Sequence, residues 1–188
     1  HRDLHSFPTR RSSDLLASIH LARSAVKLLR EQGGGRLIQI SSSCGQVGFP
    51  GLSLYCASKW GIEGFFEALA GEVAVFGIQT TLVQPGAIRT DFGSSGVLSE
   101  PLDVYRGTPA HQFRQMLNQD SQATGDPARM AAAILRTIEQ AQAPFRLVLG
   151  SDAHSMLMAG LSTRLEQIES CREVSESTDY QVEIRKWA

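Results

Sequence analysis

Several features that mark other protein classes are missing or scarce in this sequence. No apolar run approaches the roughly 18 residues that a membrane-spanning helix requires, so the sequence does not predict a membrane protein. Lysines and arginines number 18 against 19 aspartates and glutamates, and a net charge of −1 argues against binding to nucleic acid or to an anionic membrane surface. We therefore expect a soluble, cytoplasmic protein.

Cysteine is also rare, and its positions show no pairing. The three cysteines are widely spaced, odd in number and without CxxC spacing, at Cys44, Cys56 and Cys171. This pattern predicts reduced thiols rather than a disulfide framework or a zinc site. Because the histidines also show no partner spacing, we expect no metal site at His20, His111 or His154.

Alternation of short apolar strands with amphipathic helices is the main structural signal. β-Branched and apolar runs predict strands at 36–40, 78–85 and 145–150. Helical spacing predicts helices at 16–31, 53–76, 108–118 and 152–171, and a further helix that Asp126 caps and Pro127 begins. The aromatic residues of the second helix are expected in a core or interface, at Trp60, Phe65 and Phe66. Three strands alternating with helices predict an α/β protein with a parallel, doubly wound sheet.

The first fifteen residues do not fit this pattern. HRDLHSFPTRRSSDL has neither helical nor strand periodicity and lacks the apolar centre of a signal peptide. The run HSFPTRRSSDL resembles the reading-frame translation of a common sequencing adapter. We therefore predict that residues 1–15 are a non-native artefact and that residues 16–188 are a partial domain, the alternative being a disordered basic tail.

A long connection follows the second predicted strand. Residues 86–107 are rich in glycine, serine and threonine, and a connection of that length commonly forms a lid or a binding loop. We predict a substrate lid at about 92–125. Its small residues and the apolar pair after them predict mobility and a partly apolar pocket, at Gly93, Ser94, Ser95, Gly96, Val97 and Leu98.

Polar groups suited to catalysis cluster between residues 40 and 59. Ser42, flanked by Ser41 and Ser43, stands at the carboxyl end of a predicted strand, where open α/β sheets bind ligands. Tyr55 and Lys59 are four apart in a predicted helix and so share one face. Alternatively, Ser42 caps a turn, Tyr55 is a half-buried helix tyrosine and Lys59 is a solvated surface charge.

The order of these motifs resembles the short-chain dehydrogenase/reductase family. That family has a strand-end serine, a YxxxK helix and a later PGxxxT loop, which stand here as Ser42, YCASK at 55–59 and PGAIRT at 85–90. The resemblance covers the chain from Leu16 to about Ala153. It implies the C-terminal half of a Rossmann-type domain and an NAD(P)-dependent oxidoreductase.

The resemblance also implies residue roles in hydride transfer between nicotinamide and a carbonyl or secondary alcohol. Tyr55 would exchange a proton with the substrate oxygen, and Ser42 would hydrogen-bond that oxygen. An ammonium at Lys59 favours phenolate, which a free phenol with a pKa of about 10 scarcely populates at neutral pH. The cofactor would contact the Tyr55–Lys59 pair and a second group of residues after the next strand, namely Pro85, Gly86, the Ile88 backbone and Thr90.

Other family motifs are absent. The chain has no TGxxxGxG turn, no NNAG segment and no residue that selects between NAD and NADP, so the cofactor is expected to be NAD or NADP without distinction. The family's catalytic asparagine would fall near Asp14, within the presumed artefact. We therefore predict that the chain is a fragment.

Three other functions remain open from the sequence. A non-catalytic dinucleotide sensor on the same fold is disfavoured because Ser42, Tyr55 and Lys59 are all present, and an inactive fragment is a further alternative. An α/β-hydrolase is disfavoured because Tyr55 stands where the GxSxG elbow requires glycine. The helices at 16–31 and 53–76 are apolar around much of their circumference. In the family, the equivalent helices form the interface between subunits, which implies a homodimer or homotetramer of the intact protein.

Overall fold

The computed structural model of this chain describes residues 7–92, 102–117 and 123–180. Its strands are β1 (Gly35–Ile40), β2 (Ile78–Pro85) and β3 (Arg146–Leu149). Its helices are α1 (Phe7–Glu31), α2 (Ser53–Val73), α3 (Pro109–Leu117), α4 (Pro127–Glu139), α5 (Ser151–Ser170) and α6 (Arg172–Ser177). Short 3₁₀ turns follow β1 and α2 and precede α3, at Ser43–Gly45, Ala74–Phe76 and Asp103–Tyr105. The predicted strands and main helices are confirmed.

The three strands form one parallel sheet in the order β1-β2-β3. Gly35 of β1 lies opposite Ile78 of β2, and Leu82 of β2 lies opposite Arg146 of β3. The predicted α/β architecture with a parallel sheet is therefore confirmed. Since all three strands run the same way, their carboxyl ends meet at a single edge.

Glycines set the register where helices turn into strands. Gly33 and Gly77 have φ values of 83° and 71°, in the left-handed region that glycine tolerates best. A Cβ added to Gly34 would lie 2.8 Å from the carbonyl oxygen of Gly77, so the two turns approach closely. The amide of Gly35 donates to that same carbonyl at 3.2 Å, and the first residue pair of the β1–β2 ladder follows directly.

The hydrophobic core lies where α1 and α2 pack on each other and on the first two strands. Phe66 and Ile62 of α2 are each 1% exposed and Leu82 of β2 is fully buried. Burial of each such side chain contributes about 1.5–3 kcal/mol. The core cluster comprises Ala22, Ile62, Phe66, Leu69, Val73, Ile78 and Leu82. The prediction that Phe66 is a core residue is confirmed, whereas Trp60 is 43% exposed and packs under the guanidinium of Arg164.

A buried ion pair links α2 to the sheet. Glu63, 4% exposed, accepts from the side-chain amide of Gln84 at 2.9 Å and from Nε of Arg146 at 3.0 Å. Arg146 also donates to the more exposed Glu67 at 2.7 Å. Burial lowers the pKa of Arg146, but hydrogen bonds and attraction from Glu67 and Glu63 outweigh burial, so its pKa is raised. The stability that this raised pKa supplies is fully present below the unfolded pKa of Arg146 and is lost only as pH rises through the folded pKa.

Strand β1 differs from β2 in exposure. Six of the eight residues of β2 are buried, whereas every residue of β1 is at least partly exposed, with Ile40 at 48%. Within the described ranges β1 is hydrogen-bonded to β2 alone. Its other edge therefore presents backbone groups that can pair with another strand.

One expectation about the start of the chain is wrong. Helix α1 begins at Phe7, nine residues before the predicted start, so residues 7–15 are helical despite their poor periodicity. Adding a residue to an existing helix costs far less than nucleating one, which explains why weakly helical residues can extend α1. The non-native origin of residues 1–15 remains a prediction.

The 188-residue chain, expressed as written, is expected to aggregate or to unfold without a cooperative transition. The exposed edge of β1 and its half-buried residues offer a template for pairing between chains. Light scattering and differential scanning calorimetry measure both properties, and the full-length gene recovered from the genome is the control. A monomer with a single sharp thermal transition would contradict this expectation.

Glu63→Ala is expected to destabilise the full-length protein by about 3 kcal/mol, because it leaves the partly buried Arg146 and the buried Gln84 without their shared partner. Glu67→Ala is the matched control and should cost less than about 1 kcal/mol, since the Glu67 side chain is 64% exposed. Urea denaturation measures both changes. Equal losses for the two variants would show that the buried pair does not stabilise the fold as described.

Candidate active site

Three buried serines follow directly after β1. The amide of Ser41 donates to the carbonyl of Val83 at 2.7 Å, so the backbone stays in the sheet up to this residue. Ser42 then precedes a 3₁₀ turn, and its Oγ accepts from the amide of Cys44 at 3.1 Å. Ser42 therefore does cap a turn, as the alternative interpretation of this residue predicts. Because a hydroxyl that accepts one hydrogen bond can still donate another, Ser42 also retains a proton to offer a ligand.

Tyr55 and Lys59 lie on one face in the first two turns of α2, and both are half-buried. The Nζ of Lys59 is 5.9 Å from the centroid of the Tyr55 ring. The same Nζ donates to the carbonyl of Ile40 at 3.2 Å, two residues before Ser42. The phenol and the ammonium are thus brought together, and Lys59 ties them to the end of β1.

An aromatic ring borders this pair. Phe92 lies with its ring centroid 6.1 Å from that of Tyr55 and inclined at 51°. Helix α3 packs over the loop before α2 through the rings of Phe113 and Phe49, whose centroids are 5.5 Å apart. The short helix predicted at 108–118 is confirmed as α3. Residues 93–101 and 118–122, which carry the small residues of the predicted lid, lie outside the described part of the chain.

The loop after β2 is held on two sides. The amide of Gly86 donates to the carbonyl of Leu149 at 2.9 Å, which continues the β2–β3 ladder. Gly125, just before α4, then donates to the carbonyl of Ala87 at 3.0 Å and accepts from the amide of Arg89 at 2.9 Å. In this parallel bridge Ile88 lies opposite Gly125 but supplies neither group. Its own N–H and C=O therefore point to the other edge of the loop, where a ligand can bind them.

A carboxylate that sequence reasoning missed also contacts this loop. Asp152, the second residue of α5, accepts from the amide of Ala87 at 2.7 Å through Oδ2. A Cβ added to Gly86 would lie 2.2–2.5 Å from the carboxyl group of Asp152. This contact explains why glycine, which has no Cβ, stands at position 86. An acidic residue in the first turn of a helix was visible in the sequence, but its reach across to another loop was not.

The side chain of Thr90 makes a local turn contact. Its Oγ1 accepts from the amide of Phe92 at 3.4 Å, a turn contact within the exposed end of the loop. Pro85 closes β2 as predicted, at the last residue paired with β3. Thr90 and Pro85 therefore flank the Gly86–Ile88 segment, and the four predicted residues lie together at the end of β2 and in the loop that follows it.

Other kinds of site are not found in the described ranges. The described residues contain no group of three histidine, cysteine or acidic side chains that could hold a metal ion. Across the same residues, every helix is too short or too polar to cross a membrane. A separate cleft of about 320 Å³ lies between the start of α4 and the end of β3, beside Gly125 and Gly150.

Comparison with known proteins identifies the family. Residues 12–98 match the family model described as short chain dehydrogenase, a match that begins within the segment 1–15. Oxidoreductase BOA17 of Botryotinia fuckeliana is 34% identical over 155 residues, which are 80% of this chain and 56% of that protein. The chain spans about half the length of the curated relatives it matches. It belongs to the short-chain dehydrogenase/reductase family.

Solved structures agree with this assignment. A short-chain dehydrogenase from Streptomyces avermitilis is 37% identical, with a TM-score of 0.79 over 87% of this chain and 60% of that chain. A Burkholderia phymatum enzyme of the family in complex with NAD covers 75% of this chain and 50% of its own at 16% identity and a TM-score of 0.58. A Burkholderia cenocepacia enzyme in complex with NADP covers 90% and 61% at 18% identity and 0.54. These last two show the Rossmann-type fold alone.

Gly86→Ala is expected to destabilise the full-length protein by about 1–3 kcal/mol, because the new methyl group would overlap the carboxyl group of Asp152. Gly48→Ala is the matched control, since a Cβ at Gly48 meets nothing within 4 Å. We expect Gly48→Ala to change stability by less than about 1 kcal/mol. Thermal unfolding measures both variants, and equal stability would contradict the close contact at Gly86.

Proposed function

We propose that this chain is the catalytic part of an NAD(P)-dependent oxidoreductase that acts on a small carbonyl compound or secondary alcohol. One observation carries the proposal: Lys59 lies beside the Tyr55 ring and hydrogen-bonds the end of β1 two residues before Ser42. A phenol, an ammonium and a hydroxyl at the carboxyl end of a parallel strand are the groups that carbonyl reduction needs.

The proposed roles follow from the chemistry of each side chain. Tyr55 gives a proton to the substrate oxygen during reduction and takes it back during oxidation. The Lys59 ammonium stabilises the phenolate form by charge attraction. Ser42, whose hydroxyl keeps a donor proton beyond its contact with Cys44, hydrogen-bonds the oxygen on which negative charge develops. Loss of such a donor typically costs about 3–4 kcal/mol of transition-state stabilisation.

The loop after β2 fits the nicotinamide end of the cofactor. When bound, NAD or NADP supplies the hydride or accepts it. We propose that the outward-facing N–H and C=O of Ile88 hold its carboxamide, with Thr90 beside them and with Pro85 and Gly86 close to the ring. Tyr55 and Lys59 would contact the adjoining ribose. Among the described residues, no hydrogen-bond partner is found for the N–H and C=O of Ile88, and this supports the fit.

The phosphate end of the cofactor has no corresponding residues in this chain. No TGxxxGxG turn occurs in the sequence, and such a turn is what places a pyrophosphate at a helix N-terminus. We therefore propose that tight dinucleotide binding requires the full-length protein. One assay distinguishes the enzyme from a non-catalytic sensor and from an inactive fragment. It measures hydride transfer by the full-length gene product through the absorbance of the nicotinamide.

The intact protein is also proposed to be a cytoplasmic homodimer or homotetramer. Helix α1 exposes three large apolar side chains along its length, with Leu16, Leu21 and Leu28 between 53% and 70% exposed. A helix with so much exposed apolar surface commonly packs against a second copy. Sedimentation equilibrium of the full-length protein measures the state of association.

Tyr55→Phe is expected to abolish nearly all hydride transfer by the full-length protein, because phenylalanine has no proton to exchange with the substrate oxygen. Tyr180→Phe is the matched control: Tyr180 is 98% exposed and lies outside the predicted lid, so loss of its hydroxyl should leave the rate near wild type. Steady-state kinetics with both nicotinamide cofactors supply the measurement. Retention of even a third of the wild-type rate in Tyr55→Phe would rule out the mechanism.

A further inference from the structure

We propose that Asp152 is a positioning residue that holds the loop after β2 in the conformation that binds nicotinamide. This inference rests on the proposed function and extends it to a residue outside the Ser42, Tyr55 and Lys59 group. Asp152 stands on α5, and its carboxylate reaches the loop rather than the substrate or the reacting atoms.

The first support is the hydrogen bond itself. Oδ2 of Asp152 accepts from the amide of Ala87 at 2.7 Å, a short distance typical of a charged acceptor. Ala87 is exposed, so water could also hydrate this amide if the carboxylate were absent. Water would satisfy the hydrogen bond but would not fix the plane of the peptide. The carboxylate, held on a twenty-residue helix, does fix it.

The second support is the packing around the carboxyl group. An added Cβ would lie 2.2 Å from Oδ2 of Asp152 at Gly86 and 2.4 Å from Oδ1 at Gly150. The carboxyl group therefore fills the space that two glycines leave open. Its Oδ1 is buried and has no hydrogen-bond partner among the described residues. Since a buried unpaired oxygen costs free energy, the contact of Oδ2 with Ala87 has to offset that cost.

The third support is the position of Ile88, which directly follows the residue that Asp152 holds. Ala87 is bound on one side by Asp152 and, through its carbonyl, by Gly125. These contacts orient the peptide groups on both sides of Ala87, and the next residue, Ile88, is left with its N–H and C=O on the opposite edge. Release of Ala87 would let the Ile88 groups rotate. The nicotinamide carboxamide would then lose a preformed pair of partners.

Asp152→Ala in the full-length protein is the main test. We expect the dissociation constant for NADH or NADPH, titrated by fluorescence without substrate, to rise roughly tenfold because the loop is no longer preorganised. We also expect faster hydrogen exchange of the peptide covering residues 85–90 in the free protein. Asp152→Asn keeps the size of the side chain and an oxygen that can accept from Ala87, so it should restore both properties to near wild type.

Thr81→Val is the matched control for a merely structural effect. Thr81 is a buried residue of β2, five residues before Gly86, and its hydroxyl donates to the carbonyl of Pro144 at 2.9 Å, on the segment that leads into β3 rather than on the loop. This variant should lower the melting temperature as Asp152→Ala does, but it should leave cofactor affinity and exchange at 85–90 unchanged.

The outcomes separate this inference from the proposed function. Wild-type protein that binds cofactor and transfers hydride, together with unchanged affinity in Asp152→Ala, would overturn the role of Asp152 alone. Wild-type protein that neither binds cofactor nor transfers hydride would overturn the proposed function. Hydrogen exchange still decides the loop-holding role in that case, since unchanged exchange at 85–90 in Asp152→Ala would refute it.

Discussion

Parallel pairing through β2 is the constraint on which the rest of the structure depends. Because β1, β2 and β3 run in one direction, the segments that follow them emerge at the same edge of the sheet. Those segments carry the buried serines, the loop from Gly86 to Thr90, and the start of α5. An antiparallel partner in place of either neighbour would send one of these segments to the opposite edge.

Helix α2 connects this edge to the interior. Near its start, Lys59 donates to the end of β1, while one turn later Glu63 is buried against Gln84 and Arg146. Farther along, Phe66 and Leu69 enter the hydrophobic core. The Tyr55–Lys59 pair is therefore held by an ion pair and by apolar packing on the same helix. A change in the core can alter the site without touching a reacting group.

Strand β1 lies at the border of the sheet in the described residues. Parallel sheets are normally covered on both faces and paired through their interior strands, yet β1 pairs only with β2 in the described residues. The chain also spans about half the length of its curated relatives. The residues proposed to be catalytic, Ser42, Tyr55 and Lys59, thus lie next to a strand whose other edge has no partner among the described residues.

Much of the fold followed from local patterns. Strand β2 spans the predicted residues because a β-branched run ends there at Pro85, and α4 begins at Pro127 because Asp126 caps it with hydrogen bonds to Ala128 and Arg129. The start of α1 was missed because helix propagation depends on a neighbouring turn more than on periodicity. Tyr55 and Lys59 could be paired in advance because four residues make roughly one helical turn.

The order of the motifs in the sequence by itself determined the family and the Tyr55–Lys59 pair. Only the tertiary structure decided that Lys59 reaches the carbonyl of Ile40, that Phe92 lies beside Tyr55, and that Asp152 binds the amide of Ala87. The physical reason is sequence separation: Asp152 and Ala87 are 65 residues apart. No periodicity or propensity encodes such a contact, because it arises from the pairing of β2 with β3 and from the space left by Gly86 and Gly150.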